Sequence, residues 1–170
     1  MINLHKMTEA EFSEYKPFLI EEYAQNIANN YRIPLEEARA SSSKQIDDAL
    51  KDGLATPNQF LYEIGLGEGT TEERIGYLWI EVDEIKRRCY LGDIYLHEAF
   101  RGKGWGKKIL ELLEVLMIER NIQRISLHVF GKNTVARKLY EKQGYEITGS
   151  GMQKWLALHT RESELGHDAG

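Results

Sequence analysis

The stretch FRGKGWGKK, residues 100–108, carries four basic side chains and three glycines, with no acid among them. It lies between a strand-like run, YLGDIYL, and a run in which Ile109, Leu112, Leu113 and Leu116 recur at helical spacing. Where a strand turns into a helix, several backbone N–H groups lack intrahelical partners, and the helix dipole favours negative charge there. Glycines at 102, 104 and 106 let an anion approach that backbone with no side chain between, and Arg101, Lys103, Lys107 and Lys108 add charge. The expected occupant is a phosphate group. Such a junction belongs to a sheet with a helix packed across it.

The rest of the chain supplies that sheet. INLHKM reads as a short alternating strand, and Thr8 with Glu11 three residues on reads as a capping box opening a helix to about Asn29. Pro34 suits the start of a second helix, 35–52, with Gly53 as its stop. From residue 57 the period changes, and NQFLYEIGL, RIGYLWIEV and RCYLGDIYL give three strands of an antiparallel meander. After the glycine loop come a helix over 104–120, the strand RISLHVF, and a helix over 134–143 capped by Asn133 and stopped by Gly144. YEITGSGMQKWLAL is expected to form a final strand or hairpin. The fold class is therefore α/β, in the α+β sense of one mixed, mostly antiparallel sheet of about six or seven strands with helices on both faces. Residues 1–158 are read as one domain and the polar tail 159–170 as flexible.

Composition removes other classes. With 42% hydrophobic and 29% charged residues the chain suits a globular protein. No apolar run approaches the roughly 18 residues of a membrane span, and the first residues lack a signal-peptide pattern, so a cytoplasmic protein is expected. The single cysteine, Cys89, falls in a strand and reads as a buried, inert thiol. No Cys/His cluster has zinc-ligand spacing, and no metal is expected. The net charge of -5, without a basic stripe interleaved with aromatics, argues against nucleic acid.

Two phosphate motifs can be tested against the loop. A P-loop needs a Ser or Thr after Gly-Lys, yet Gly106-Lys107 is followed by Lys108, and Arg101 stands where the first glycine belongs. A dinucleotide fingerprint fails as well, since its last glycine would fall on Lys107 or Ile109. What remains is Arg101-x-x-Gly104-x-Gly106 after GDIYLHEAF. That pattern resembles the acyl-coenzyme A pyrophosphate loop of the GNAT superfamily of N-acetyltransferases, and NTVARKLYEKQGY, residues 133–145, looks like that family's second cofactor motif. The resemblance covers residues 75–158, whereas residues 1–56 match only as a strand followed by the two helices that shape the acceptor site in this family. It departs at HEAFRG, where many members carry a proline before the loop arginine.

The resemblance implies transfer of an acetyl group from acetyl-CoA to a primary amine by direct attack in a ternary complex. It gives the pyrophosphate to Arg101, Gly102, Lys103, Gly104, Trp105, Gly106 and Lys107, although Trp105, which could lie across the cofactor's mouth, reads first as a core residue on the sheet. Ile94, Tyr95 and Leu96, at the edge of the preceding strand, would bind the thioester carbonyl and the pantetheine amides. Asn133, Ala136 and Tyr140 lie along one helix face, and by resemblance Asn133 and Ala136 contact the cofactor while Tyr140 is the acid at the leaving sulfur. An amine of pKa about 10.4 is neutral in only about one molecule in 10³ at pH 7, so a base is needed. His128, twelve residues before Tyr140, stands where some members carry a glutamate base. Asp93 and Glu81 are the alternatives, together with water, and either carboxylate could instead bind a cationic acceptor. Residues 1–60 hold ten Asp/Glu against six Lys/Arg, which suits a lysine side chain, a protein N-terminus, a polyamine or an aminoglycoside. Edge strands and the final hairpin would allow a homodimer. The competing reading is a non-catalytic coenzyme A-binding sensor or interaction domain, which would keep the loop and need no proton donor.

Overall fold

The computed structural model describes residues 1–156. Thr8 and Glu11 close the capping box: the Thr8 N–H donates to Glu11 Oε2 at 2.7 Å and the Glu11 N–H donates to Thr8 Oγ1 at 3.3 Å. The box opens α1 (Glu9–Tyr31), and Arg32, in the left-handed conformation, ends it ahead of α2 (Leu35–Ala49). Ser42, fully buried, holds the pair together by donating to the Ile20 carbonyl at 2.7 Å, and Lys16–Asp47 and Arg39–Glu21 ion pairs flank it. The second helix ends at Ala49, short of the expected 52. Gly53, at φ +57°, instead begins a single 3₁₀ turn, Gly53–Ala55.

β1 (Ile2–Lys6), β2 (Gln59–Leu66), β3 (Glu73–Asp83), β4 (Arg88–Leu96) and β5 (Arg124–Leu127) lie in that order across one sheet. The first four are antiparallel neighbours, while β5 runs parallel to β4 and so needs a crossover, which α3 (Trp105–Glu119) supplies. Alternation sorts the side chains between two helical layers. Leu78, Ile80 and Val82 of β3 and Cys89 and Leu91 of β4 pack with Ile109, Leu110, Leu113 and Met117 of α3. Tyr77 and Trp79 face the opposite way, against a core that includes Phe12, Tyr15 and Leu19 of α1 and Ile46 of α2. Helices therefore cover both faces. α4 (Thr134–Lys142) follows β5 and lays Leu139 and Tyr140 on the α3 side of the core. Cys89 has no exposed surface, and burial pushes its thiol up to about 11, so almost none of it is thiolate at neutral pH.

Among the described residues the sheet has five strands, where the sequence suggested six or seven. The shortfall lies in YEITGSGMQKWLAL, whose described part forms no strand. TGSG, residues 148–151, interrupts the alternation, and Ile147, Met152, Trp155 and Leu156 stay 59–97% exposed. With no apolar face buried, nothing selects a pairing register. The last residues of that stretch and the tail 159–170 lie outside the described residues. No described helix is long and apolar enough to cross a membrane.

Candidate active site

The site begins where β4 and β5 part. They pair only from Arg88↔Arg124 to Leu91↔Leu127, while β4 continues to Leu96, so Ile94, Tyr95 and Leu96 lie on an edge that β5 has left. The parting falls on a β-bulge: Ile80 pairs with Leu91 and Trp79 with Asp93, which leaves Gly92 as the extra residue. A Cβ on Gly92 would stand 2.7 Å from the Trp79 ring, so a side chain there would force that ring to move. The bulge also reverses the alternation. Without it Asp93 would point into the apolar core beneath α3; with it Asp93 and Tyr95 join Tyr90 on the α1 side, over Trp79, Tyr77 and Glu81.

The glycine loop follows β4 directly. Gly102 and Gly104 sit at φ +71° and +81°, where other residues are strained, and a Cβ on either would meet nothing within 4 Å. Gly104 precedes α3 with no side-chain cap, and no backbone N–H of residues 102–107 finds a protein acceptor among the described residues. Unpaired donors around open space at a helix N-terminus fit a pyrophosphate. The Arg101 side chain braces the loop, donating from Nε to the Leu96 carbonyl at 2.8 Å with its guanidinium 5.0 Å from the Tyr95 ring centroid. Lys103 lies over Phe100 and Lys108 over Trp105, which itself packs on the core, and Lys107 sits 3.6 Å from Glu111. Gly106 lets α4 approach, since a Cβ there would be 3.1 Å from Leu139.

Asp93 faces α1, and Tyr140 packs on the α3-side core. Tyr15 of α1, 1% exposed, donates its hydroxyl to Asp93 Oδ2 at 2.7 Å. Desolvation raises the Asp93 carboxyl to about 6; the Tyr15 hydroxyl and the Ile94 N–H oppose that rise, and the charge of Glu22 adds to it. Burial, with the Asp93 charge and Tyr145 as lesser causes, pushes the Tyr140 phenol up to about 12. Tyr145 packs edge-on to the Tyr140 ring at 5.6 Å. Asn133 caps α4, its Oδ1 accepting from the Ala136 N–H at 3.2 Å.

The other sequence candidates sit elsewhere. His128 is exposed just beyond β5, its ring 5.1 Å from that of Phe130, and lines a cleft between the α1–α2 pair and the parting strands. Glu81 lines a separate recess of about 200 Å³ with Arg88 and Arg124, and accepts from Gln59 Nε2 at 2.9 Å.

Known proteins share this fold. The family model described as "Acetyltransferase (GNAT) family" matches residues 19–145. This chain belongs to that family. Over 91% of its length it is 34% identical to YycN of Bacillus subtilis, an uncharacterised N-acetyltransferase, of which it covers 99%. The crystal structure of YycN superposes with a TM-score of 0.85 at 33% identity, over 92% of this chain and 99% of that one. The spermine/spermidine N(1)-acetyltransferase of B. subtilis is 35% identical over 42% of this chain and 49% of its own. The PaiA N-acetyltransferase of Thermoplasma acidophilum, solved in complex with coenzyme A, shares the fold at a TM-score of 0.65 and 16% identity, over 89% of this chain and 93% of that one. The chain described here is thus an acetyltransferase of the GNAT family.

Two features of this GNAT site escaped the sequence. Tyr15 carried no motif, although Tyr15, Phe18 and Glu22 fall at i, i+3 and i+7, one face of α1. Gly92 was visible as a glycine inside a strand pattern, a signal for a bulge; its effect on Asp93 became apparent only with the register.

Proposed function

We propose that this acetyltransferase moves the acetyl group of acetyl-CoA to a primary amine by direct attack, with Asp93 as the base and Tyr140 as the donor to the leaving sulfur. The observation that carries the reading is Asp93, turned by the bulge to the α1 side where β5 leaves β4 and held there by the buried Tyr15 hydroxyl. Residues 101–107 would hold the pyrophosphate of acetyl-CoA on their unpaired N–H groups, and the edge at residues 94–96 its pantetheine amides and thioester carbonyl. Asn133 and Ala136, at the start of α4, would contact the same cofactor.

The roles follow from the protonation states. At about 6, Asp93 is mostly ionised at pH 7 and can take a proton from the incoming ammonium, directly or through water. The freed nitrogen lone pair then forms the C–N bond as the C–S bond breaks, and the electrons of that bond leave on sulfur. The acylated nitrogen, still bearing two protons and a positive charge, passes one to the departing thiolate, giving the neutral amide and the coenzyme A thiol. Tyr140, at about 12, stays protonated and points a hydrogen bond at that sulfur. A thiolate with pKa about 8.5 is a weaker base than such a phenolate, so Tyr140 stabilises the leaving group chiefly by hydrogen bonding. His128, exposed against Phe130, belongs to the wall of the cleft and leaves the base role to Asp93.

Thiol release from acetyl-CoA, followed across a panel of primary amines, tests the assignment. Amine-dependent release with an acid limb near pH 6 is expected. Coenzyme A binding without turnover on any amine would replace this reading with a non-catalytic coenzyme A-binding domain.

A further inference from the structure

The cleft beside His128 has a volume of about 470 Å³ and walls drawn from distant parts of the chain. Tyr23, Ile27 and Tyr31 come from one face of α1, Ile33 from the turn after it, Tyr90 from β4, and Phe130 from the segment beyond β5. Phe130 is the hub, its ring 5.7 Å from Tyr23 and 6.1 Å from Tyr31. Tyr31 and Tyr90 leave 41% and 42% of their surface open. The Tyr23 ring is fixed in place, since its hydroxyl donates to Gln45 at 3.1 Å.

Charge is missing from this lining. Its polar members are Ser41, Gln45 and His128, and among the described residues no Asp, Glu, Lys or Arg lines it. Three carboxylates on the neighbouring helices are paired elsewhere, Glu21 to Arg39, Asp47 to Lys16 and Asp48 to Lys44, and Glu22, whose charge reaches Asp93, is outside the lining. Tyr90 stands on the same sheet face as Asp93, next before it once Gly92 is passed over, so the cleft leads towards that carboxylate.

We infer that this cleft receives the body of the acceptor, and that this body is uncharged and apolar: a primary amine on an arylalkyl or branched aliphatic frame, in preference to a polyamine or an aminoglycoside. The inference rests on the acetyl-transfer reading. A second ammonium buried here would lose its water and find no carboxylate, whereas an aromatic or branched frame would cover the open tyrosine faces. None of the ten carboxylates of residues 1–60, whose surplus suited a polycationic acceptor, lines the cleft, and three of them are held in ion pairs outside it.

The test compares 2-phenylethylamine, isoamylamine, ethylamine and spermidine by thiol release with the full chain. The kcat/KM for 2-phenylethylamine should exceed those for ethylamine and spermidine by about tenfold or more, with isoamylamine between. Phe130→Ser should lower the 2-phenylethylamine value about tenfold through KM and leave ethylamine and the KM for acetyl-CoA within about twofold. Tyr31→Ser, on the more exposed wall, repeats the comparison should Phe130→Ser fail to fold. Preference for spermidine, or an equal loss for every amine, overturns the inference. If no amine turns over, the acetyl-transfer reading fails, and the cleft is decided by ligand-detected NMR on the coenzyme A-loaded protein. Binding of 2-phenylethylamine that the variants abolish upholds an apolar amine site; no binding to the unaltered chain refutes it.

Discussion

The glycine loop and the aromatic cleft lie on either side of Asp93 and are built by opposite means. The loop is one contiguous run, residues 101–107, and the groups proposed to recognise the pyrophosphate are its unpaired backbone N–H donors beside two left-handed glycines. The cleft is made of side chains from α1, α2, β4 and the segment after β5, and no two of its segments are neighbours in a single short motif. A backbone-built site tolerates changes in its side chains but not the loss of a glycine. A side-chain-built site divides its work among many contacts, so each substitution removes part of the selectivity. Predictions about the group between the two regions, and about each region, separate these behaviours.

Asp93→Asn should have the largest effect. It removes the proposed base, so kcat/KM should fall by roughly 10² to 10⁴ and the acid limb near pH 6 should vanish. Stability should move the other way. The folded carboxyl is raised from 3.8 to about 6, so between those values the unfolded chain has released a proton that the folded chain keeps, and stability falls as pH rises through that window. The asparagine variant should therefore lose that pH dependence and be more stable at pH 7 by up to roughly 2–3 kcal/mol, provided its amide keeps the Tyr15 hydrogen bond. Denaturation at pH 4.5 and pH 7 checks the sign. A variant less stable at both would show that the carboxylate is structural.

Gly104→Glu comes next and breaks the loop while sparing the cleft. A carboxylate a few ångström from the pyrophosphate should weaken coenzyme A binding by roughly two orders of magnitude. The left-handed φ of +81° adds backbone strain of roughly 1 kcal/mol, visible as a small fall in Tm. Unchanged affinity in calorimetric titration would remove the loop from the site.

The same division explains what could be read from the sequence. Arg101-x-x-Gly104-x-Gly106 was legible because a helix N-terminus and its glycines are local facts, and the capping box and the meander were legible for the same reason. Asp93 could be named a candidate, but its face depended on the bulge at Gly92, and a slip of one residue in a strand moves every following side chain across the sheet. Tyr15 and Phe130 went unread because each gains its role from a partner far along the chain: Tyr15 from Asp93, Phe130 from Tyr23 and Tyr31. The expected final strand failed on a different account. Its residues alternate well enough at Tyr145 and Ile147, but the glycines at 149 and 151 follow and no layer of the described structure covers it.

Tyr140→Phe should cost less than the change at Asp93. It deletes the donor proposed at the sulfur and keeps the ring that packs against Tyr145. A fall in kcat of about 10- to 100-fold, with the coenzyme A Kd within about twofold, is expected. Parallel losses in rate and affinity would make the ring a packing element. At about 12 the phenol should also contribute no basic limb below pH 10 in the unaltered enzyme.

The smallest effect, Tyr15→Phe, is the most informative about how the two regions are joined, because Tyr15 touches neither. Its buried hydroxyl donates to Asp93 Oδ2 and so favours the ionised carboxylate against the desolvation that raises it. Taking that hydrogen bond away should move the Asp93 pKa further up and carry the acid limb of kcat/KM with it. The loss should then be several-fold at pH 6 and small at pH 8, where the carboxylate is ionised in either protein. A merely structural tyrosine would lower activity by the same factor at both pH values. Glu22, whose charge also raises the Asp93 carboxyl, supplies the opposite control: Glu22→Gln should shift the limb down. Opposite shifts from two residues on one face of α1 would establish that this helix, which also walls the cleft, sets the pH at which the base works.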